Sequence, residues 1–262
     1  MHDFSSALPF PGVGDFSPTH PQPPPLEAVR HQRRCLYYTR VLCRRITWGC
    51  GTDAKPRAAA GCVKDAGGYR VPLAWALSQA GYNVSTMGTL TTGPSYVIDQ
   101  WKRHEGHPGW RFDQIDTLLN QSFATNAKPP DLITIHLGTN DCGQKLTVPA
   151  IEANANLMLT HILAKAPKAV VHMASMIGFP HCPVCSQAFN KLVPSIVAKH
   201  KALGMNIIYT EMAETAGVCI DKAVSEPLSG LCCNGEVHPT AAGYLRMASA
   251  FALSIAEGPP LV

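Results

Sequence analysis

One apolar run, residues 131–137, constrains the fold of this chain more than any other feature. It reads Asp-Leu-Ile-Thr-Ile-His-Leu and follows a break at Pro129-Pro130. A short apolar run bounded by a turn signal is typical of a strand that is buried on both faces of a parallel sheet. Parallel strands need crossover connections, which are usually helices. The run therefore predicts an α/β fold.

Segments with helical and strand-like apolar spacing alternate on both sides of this run. Helical spacing is found over residues 68–80, 111–124, 149–165, 186–203 and 240–257, and strand-like spacing over 83–89, 169–173 and 205–209. This alternation predicts a three-layer α/β/α sandwich with a central, mainly parallel sheet, formed by one domain over residues 36–262. In such sheets the ligand site lies beyond the carboxyl ends of the strands.

The N-terminal part of the chain has a different composition. Residues 1–35 are rich in proline and arginine with few apolar side chains, and this predicts a disordered leader. Residues 31–45 are rich in arginine and contain no lysine, and the character of the sequence changes at Ile46. No signal peptide is recognisable, and no apolar segment has the length of a membrane span.

The net charge of +4 does not indicate a nucleic-acid partner. Six arginines lie within residues 1–45, and the other 217 residues carry 16 basic against 15 acidic side chains. A nucleic-acid-binding domain would carry a basic stripe on its folded surface. We therefore expect neither a nucleic-acid nor a membrane partner.

Ten cysteines are many for a chain of 262 residues. Three spacings predict disulfides that close short loops: Cys50 with Cys62, Cys182 with Cys185, and Cys219 with Cys232 or Cys233. Two alternatives stay open, namely free thiols and a zinc site that uses Cys182-Pro-Val-Cys185 as one half. Disulfides would indicate an oxidising compartment.

Two loops carry residues suited to acyl-transfer chemistry. Asn140 follows the apolar run in a glycine-containing turn, where its amide can donate to a developing oxyanion. His238 precedes the last predicted helix, where Pro239 and Thr240 suit a helix start, and a histidine there can act as a general base. Each feature alone is equally compatible with a plain turn or a surface histidine.

Four stretches in the right order resemble the sequence blocks of SGNH (GDSL-type) hydrolases. They are Gly-Thr-Asn-Asp at 138–141, His-Pro-Thr at 238–240, His-Glu-Gly-His-Pro-Gly-Trp at 104–110 and Ile-Thr-Trp-Gly-Cys-Gly at 46–51. The resemblance implies a flavodoxin-like sandwich and serine-type ester hydrolysis without a cofactor or metal. It makes His238 the general base, and it makes the backbone N–H of Gly109 and the amide of Asn140 the oxyanion hole.

The stretch at 104–110 is similar to the acetylxylan-esterase-like branch of that family. This similarity implies a small acyl ester or an acetylated polysaccharide as substrate. With an acetylated polysaccharide as substrate, the chain would be a carbohydrate deacetylase. We further expect a monomeric protein that is secreted, as the cysteine content also indicates.

The catalytic residues of the family are not all present. The Gly-Asp-Ser of the first block falls on Cys43-Arg44-Arg45, so Arg45 occupies the nucleophile position and has no hydroxyl to attack a carbonyl. The acidic partner of the base falls on Gly235, and the neighbouring Glu236 is only a hypothetical substitute. We therefore expect the chain to be inactive as a serine esterase.

Three interpretations of the missing serine stay open. The first, which the composition change at residue 46 favours, is an esterase in which residues 1–45 stand in place of a signal peptide and first strand through a misread start. The second is a pseudoenzyme that binds carbohydrate or esters. In the third, residues 36–42 form the first central strand of a folded but inert domain. A nucleophile at Thr47, Cys50 or Thr52 would break the match to the first block.

Overall fold

The computed structural model describes residues 34–41, 67–218 and 238–259, the first of these by their backbone alone. A five-stranded parallel sheet runs through the centre, with strand order β2-β1-β5-β6-β7. Its strands are β1 (Arg34–Val41), β2 (Asn83–Thr86), β5 (Leu132–His136), β6 (Val170–Ala174) and β7 (Ile207–Thr210). Between β2 and β5, the strands β3 (Leu90–Thr91) and β4 (Arg103–His104) form a separate antiparallel ribbon. The predicted α/β sandwich with a parallel sheet is confirmed.

In the described segments, eight α-helices connect and cover these strands. They are α1 (Arg70–Gln79), α2 (Phe112–Thr117), α3 (Leu119–Ala124), α4 (Thr139–Gly143), α5 (Val148–Lys165), α6 (Pro183–Ala202), α7 (Ala213–Ala216) and α8 (Ala241–Glu257). The single helix predicted over 111–124 is two helices that meet at Leu118. The ribbon β3–β4 and the short helices α4 and α7 were not predicted, because two to five residues are too few to show a periodicity.

Alternation of side chains along β5 and β6 produces the three layers. Side chains on a strand point to opposite faces in turn. Ile133 and Ile135 therefore pack into one core with α2, α5 and α6, whereas Leu132 packs into a second core with α1 and α8. All five residues of β5 are buried, as a strand covered on both faces requires.

The strand β1 is an interior strand of the sheet, second in the strand order. It pairs with β2 on one side and with β5 on the other, with Val41 opposite His136. The strand that the third interpretation of the missing serine places over 36–42 is thus present, over Arg34–Val41, and this does not decide among the three interpretations. The strand order reverses between β1 and β5, and in doubly wound sheets the ligand crevice lies at this switch point.

A disulfide joins Cys142 of α4 to Cys185 of α6, with 5.7 Å between their Cα atoms. The predicted disulfide between Cys182 and Cys185 is therefore wrong, and Cys182 is a free thiol. The spacing of Cys182 and Cys185 reflects only their place on one helical turn, whereas folding of the sheet brings Cys142 to the start of α6. The zinc alternative that uses Cys182 and Cys185 as one half fails as well, because the sulfur of Cys185 is bonded to Cys142.

Several predictions concern segments outside the described residues. They are the disordered leader over 1–35, the positions of Arg45, Gly235 and Glu236, and the pairs formed by Cys50, Cys62, Cys219, Cys232 and Cys233. These remain predictions. Within the described segments, every helix is too short or too polar to cross a bilayer.

Candidate active site

The Asn140 loop begins where β5 ends at the switch point. Gly138 has φ +115°, and a Cβ atom at this position would come within 2.7 Å of the Sδ atom of Met176. Only glycine fits both this backbone conformation and this close approach. The turn at Gly138 starts α4, so that Asn140 is held on a helix at the carboxyl edge of the sheet.

The Gly109 loop lies directly against the Asn140 loop. The side-chain amide of Asn140 donates to the carbonyl of Trp110 at 2.8 Å, and that of Gln144 donates to the carbonyl of Gly109 at 2.5 Å. Gly109 has φ +80°, a conformation that favours glycine. The two residues that the resemblance assigns to the oxyanion hole are thus held side by side, although they are 31 positions apart in the sequence.

A buried carboxylate, that of Glu105, connects the Gly109 loop to neighbouring residues. Glu105 is fully buried, and its side chain accepts hydrogen bonds from the backbone N–H of Thr89 at 3.1 Å and from the hydroxyls of Thr89 and Ser122. His107 Nε2 lies 2.6 Å from the same carboxylate. A buried carboxylate is tolerated only when its oxygens are satisfied in this way.

His107 connects Glu105 to the residues that the resemblance assigns to the oxyanion hole. Its ring stacks on the indole of Trp110, with 4.3 Å between ring centroids. The carbonyl of the same Trp110 accepts the amide of Asn140. A continuous chain of contacts therefore runs from Glu105 through His107 and Trp110 to Asn140.

Asp141 forms a second buried acidic position in this region. One of its carboxylate oxygens accepts the backbone N–H of Phe112 at 3.3 Å, at the start of α2. Burial raises the pKa of Asp141 to about 7, because a charged carboxylate is poorly solvated there. Beside it, Arg111 bridges to Asp113 at 2.8 Å and to Gln144 at 2.6 Å.

His238 lies at the start of α8 and is buried, with 4% of its surface exposed. The hydroxyl of Thr240 accepts the backbone N–H of Gly243 at 3.2 Å and caps the helix, as the sequence predicted. The role of His238 as general base remains a prediction, as do the roles of Gly109 and Asn140.

Sequence reasoning missed three residues that shape this site: Glu105, Asp141 and Gln144. In the motif at 104–110 the resemblance assigns a role to the glycine, and no sequence signal marks Glu105 as a buried group. Asp141 lies within the Gly-Thr-Asn-Asp motif, where an aspartate is typical of a plain turn. Gln144 has no sequence signal, because its partner Gly109 lies 35 positions away.

Comparison with known proteins identifies relatives of this architecture. The model of the GDSL-like lipase/acylhydrolase family matches residues 46–246. A family 3 carbohydrate esterase from Clostridium thermocellum is 22% identical, with a TM-score of 0.67 over 86% of this chain and 96% of that one. A family 3 carbohydrate esterase from Talaromyces cellulolyticus is 16% identical, with a TM-score of 0.61 over 85% and 97% of the two chains.

A third structure, the psychrotrophic esterase EstA from a Pseudoalteromonas species, is 15% identical, with a TM-score of 0.55 over 86% of this chain and 97% of that one. A comparison with curated protein sequences finds no significant match. At these identities the structural likenesses show the fold. The family match covers most of the chain and begins at Ile46, one residue after Arg45. The chain therefore belongs to the GDSL-like lipase/acylhydrolase family, the SGNH hydrolases.

Proposed function

We propose that this chain carries an ester-binding site of the GDSL type, which hydrolyses an acyl ester when a serine occupies position 45. The observation that carries the proposal is the contact between the Gly109 and Asn140 loops at the switch point of the sheet. Two hydrogen-bond donors at one such position can stabilise the oxyanion of a tetrahedral intermediate.

The remaining chemistry follows the serine-type scheme. His238 would take the proton of a hydroxyl nucleophile as it attacks the ester carbonyl, and would return that proton to the leaving alcohol. Arg45 cannot supply the nucleophile, because a guanidinium is protonated and has no oxygen. With Gly235 in the acidic position, the base also lacks its usual orienting carboxylate unless Glu236 provides one.

The proposed substrate is an acetylated carbohydrate, and the proposed location is extracellular. Two of the similar structures are carbohydrate esterases. The disulfide between Cys142 and Cys185 suits an oxidising compartment. We propose that the protein acts there as a monomer and without a cofactor.

Hydrolysis of a chromogenic acetyl ester tests the proposal. We expect the unmodified chain to be inactive and the variant Cys43→Gly/Arg44→Asp/Arg45→Ser to hydrolyse the ester. In that variant His238→Ala should abolish the activity, and Asn140→Ala should lower the rate by roughly 10²–10³. Addition of Gly235→Asp should raise it, because an acid in that position orients the base.

Two results would contradict this assignment. One is a serine-restored variant that folds, with an unchanged circular dichroism spectrum and melting temperature, yet neither hydrolyses nor binds the ester. The other is activity of the unmodified chain that is lost on Cys50→Ala or Thr52→Ala, which would place the nucleophile elsewhere.

A second candidate function is a binding module without catalysis, and the arginine at position 45 is the observation that favours it. In that case the unmodified chain should bind acetylated xylan, and less tightly the same polymer after chemical deacetylation. Isothermal titration of the two polymers distinguishes binding of acetyl groups from binding of the sugar backbone.

A further inference from the structure

The carbonyl of Trp110 belongs to a peptide group that is held at both of its ends. Its oxygen accepts the Nδ2–H of Asn140 at 2.8 Å. At the other end of the same peptide, the backbone N–H of Arg111 donates to the side-chain Oε1 atom of Gln114 at 2.9 Å. A peptide group is planar, so a hydrogen bond at its N–H fixes the direction of its C=O. The side chain of Gln114 therefore controls where the Trp110 carbonyl points.

Gln114 makes this contact because the helix α2 begins at Phe112. Arg111 is the N-cap residue and has an extended backbone, with φ −102° and ψ 174°, and Gln114 is the third residue of the helix. A glutamine at the third position reaches back to the N-cap N–H, as in a capping box. The start of α2 thus determines the place of Gln114 relative to the Trp110–Arg111 peptide.

A separate contact holds α2 against the helix that carries Asn140. The backbone N–H of Phe112 donates to the Oδ1 atom of Asp141, the residue after Asn140, at 3.3 Å. Asp141 is fully buried on α4. Because this bond joins the two segments without Gln114, what Gln114 adds is the orientation of the Trp110–Arg111 peptide.

The orientation of that peptide selects one of two orientations of the Asn140 amide. The two ends of an asparagine side chain have opposite roles, because the nitrogen donates and the oxygen accepts. A carbonyl oxygen in this place can bind the nitrogen end alone. An amide turned over by half a rotation would bring its oxygen against the Trp110 carbonyl and would present an acceptor where an oxyanion needs a donor.

We propose that Gln114 is a positioning residue of the candidate active site, which orients the Asn140 amide through the Trp110–Arg111 peptide. Gln114 lies outside the four stretches that resemble the family. The orientation of the amide does not depend on the nature of the ligand, whereas its consequence for catalysis rests on the proposed function.

Four variants separate this role from helix capping in general. Gln114→Leu and Gln114→Ala remove the acceptor of the Arg111 N–H, whereas Gln114→Glu keeps an acceptor oxygen in the same place. Thr147→Val is the matched control, because the Thr147 hydroxyl caps α5 by accepting the N–H of Ala150 at 3.4 Å.

The first measurement follows the side-chain amide of Asn140 by heteronuclear NMR in the chain with Arg45 in place. Its two N–H signals are identified as the pair that is missing from the spectrum of Asn140→Ala. We expect these protons to exchange with water about three- to tenfold faster in Gln114→Leu and Gln114→Ala, because their hydrogen bond to Trp110 weakens. Gln114→Glu and Thr147→Val should stay within about twofold of the unmodified protein. Equal exchange in Gln114→Leu and Gln114→Glu would overturn the proposal.

The second measurement introduces the same variants into the serine-restored chain and follows hydrolysis of the acetyl ester. We expect Gln114→Leu to lower kcat by at least about tenfold, and by less than Asn140→Ala, with KM changed by less than about twofold, because an oxyanion donor acts in the transition state. Gln114→Glu should keep the kcat of the parent. An unchanged kcat in Gln114→Leu would overturn the positioning role. If the serine-restored chain is itself inactive, the proposed function fails, and the amide exchange alone decides whether Gln114 orients Asn140.

Discussion

The Asn140 and Gly109 loops differ from the α8 region in what holds them in place. The two loops are fixed by polar and covalent contacts: the buried Glu105, the Asn140 and Gln144 amides, and one disulfide. The helix α8 is held by apolar packing, as in the contact of Phe251 with Tyr69 at 4.9 Å between ring centroids. His238 lies just before the N-terminus of α8, in this second region.

This difference reflects what each region has to position. A loop that presents backbone N–H groups to a ligand cannot be buried in an apolar core, so that hydrogen bonds must specify its shape. A helix needs only its apolar face covered, and its side chains then follow its axis. The loops should therefore respond most to changes of charge and redox state, and the helix most to changes of side-chain volume.

Removal of volume from the α8 region should have the largest effect. Phe251 is fully buried against Tyr69, so Phe251→Ala should lower the free energy of unfolding by about 3–5 kcal/mol. Leu253 lies two positions further on the same helix and is 46% exposed. Leu253→Ala should therefore change the free energy of unfolding by less than about 1 kcal/mol. Urea denaturation measures both. Equal losses would mean that α8 is not held by its apolar face.

Changes of pH should affect the two regions in opposite directions. The pKa of Asp141 is raised to about 7, so the folded state binds more protons than the unfolded state between pH 4 and 7, and its stability falls as the pH rises. His172, whose Nδ1 atom lies 2.8 Å from the Ser254 hydroxyl of α8, has its pKa lowered to about 4 by burial. The stability that the neutral His172 side chain contributes is present above pH 6.5 and is lost as the pH falls towards 4.

Two variants separate these contributions. As the pH rises from 4 to 7, the free energy of unfolding of the unmodified protein should fall by up to about 4 kcal/mol relative to that of Asp141→Asn. As the pH falls from 6.5 to 4, it should fall by up to about 3 kcal/mol relative to that of His172→Gln. Urea denaturation at a series of pH values provides the comparison. A difference that does not vary with pH would show that the buried group does not titrate in that range.

Loss of the disulfide should lower the free energy of unfolding by less than the changes above. The chain-entropy contribution of a bond that joins residues 43 apart is about 4 kcal/mol, and measured losses are about 2–4 kcal/mol. We expect this loss in Cys142→Ala/Cys185→Ala and almost none in Cys182→Ala, whose thiol is unpaired. Thermal unfolding by calorimetry compares them. A similar loss in both variants would attribute the effect to side-chain packing.

Neutralisation of Glu105 should have the smallest effect of the four. Glu105→Gln weakens charge-assisted hydrogen bonds from Thr89 and Ser122, with an expected loss of about 1.5–3 kcal/mol. Asp99, whose side chain is 94% exposed beside Lys102, provides the matched control, and Asp99→Asn should leave the melting temperature unchanged. Hydrogen exchange over residues 105–110 should increase in Glu105→Gln alone. No increase there would show that the loop does not depend on this carboxylate.

The sequence by itself determined the features that depend on neighbouring residues. The alternation of apolar spacings predicted the strands β2, β5, β6 and β7 and the long helices, and Thr240 marked the start of α8. Such features follow from a period of two or 3.6 residues and from caps that act within one turn. The motifs around Gly109 and Asn140 were recognisable for the same reason.

Only the tertiary structure decided which distant groups meet. The disulfide joins residues 43 apart, Gln144 reaches the carbonyl of Gly109 across 35 positions, and Glu105 accepts the hydroxyl of Ser122 from 17 positions away. Local spacing favoured the wrong disulfide, because two cysteines on one helical turn look like a pair in the sequence. Pairing is decided by which sulfur atoms the packed helices bring within bonding distance, and that depends on the arrangement of α4 and α6 around the sheet.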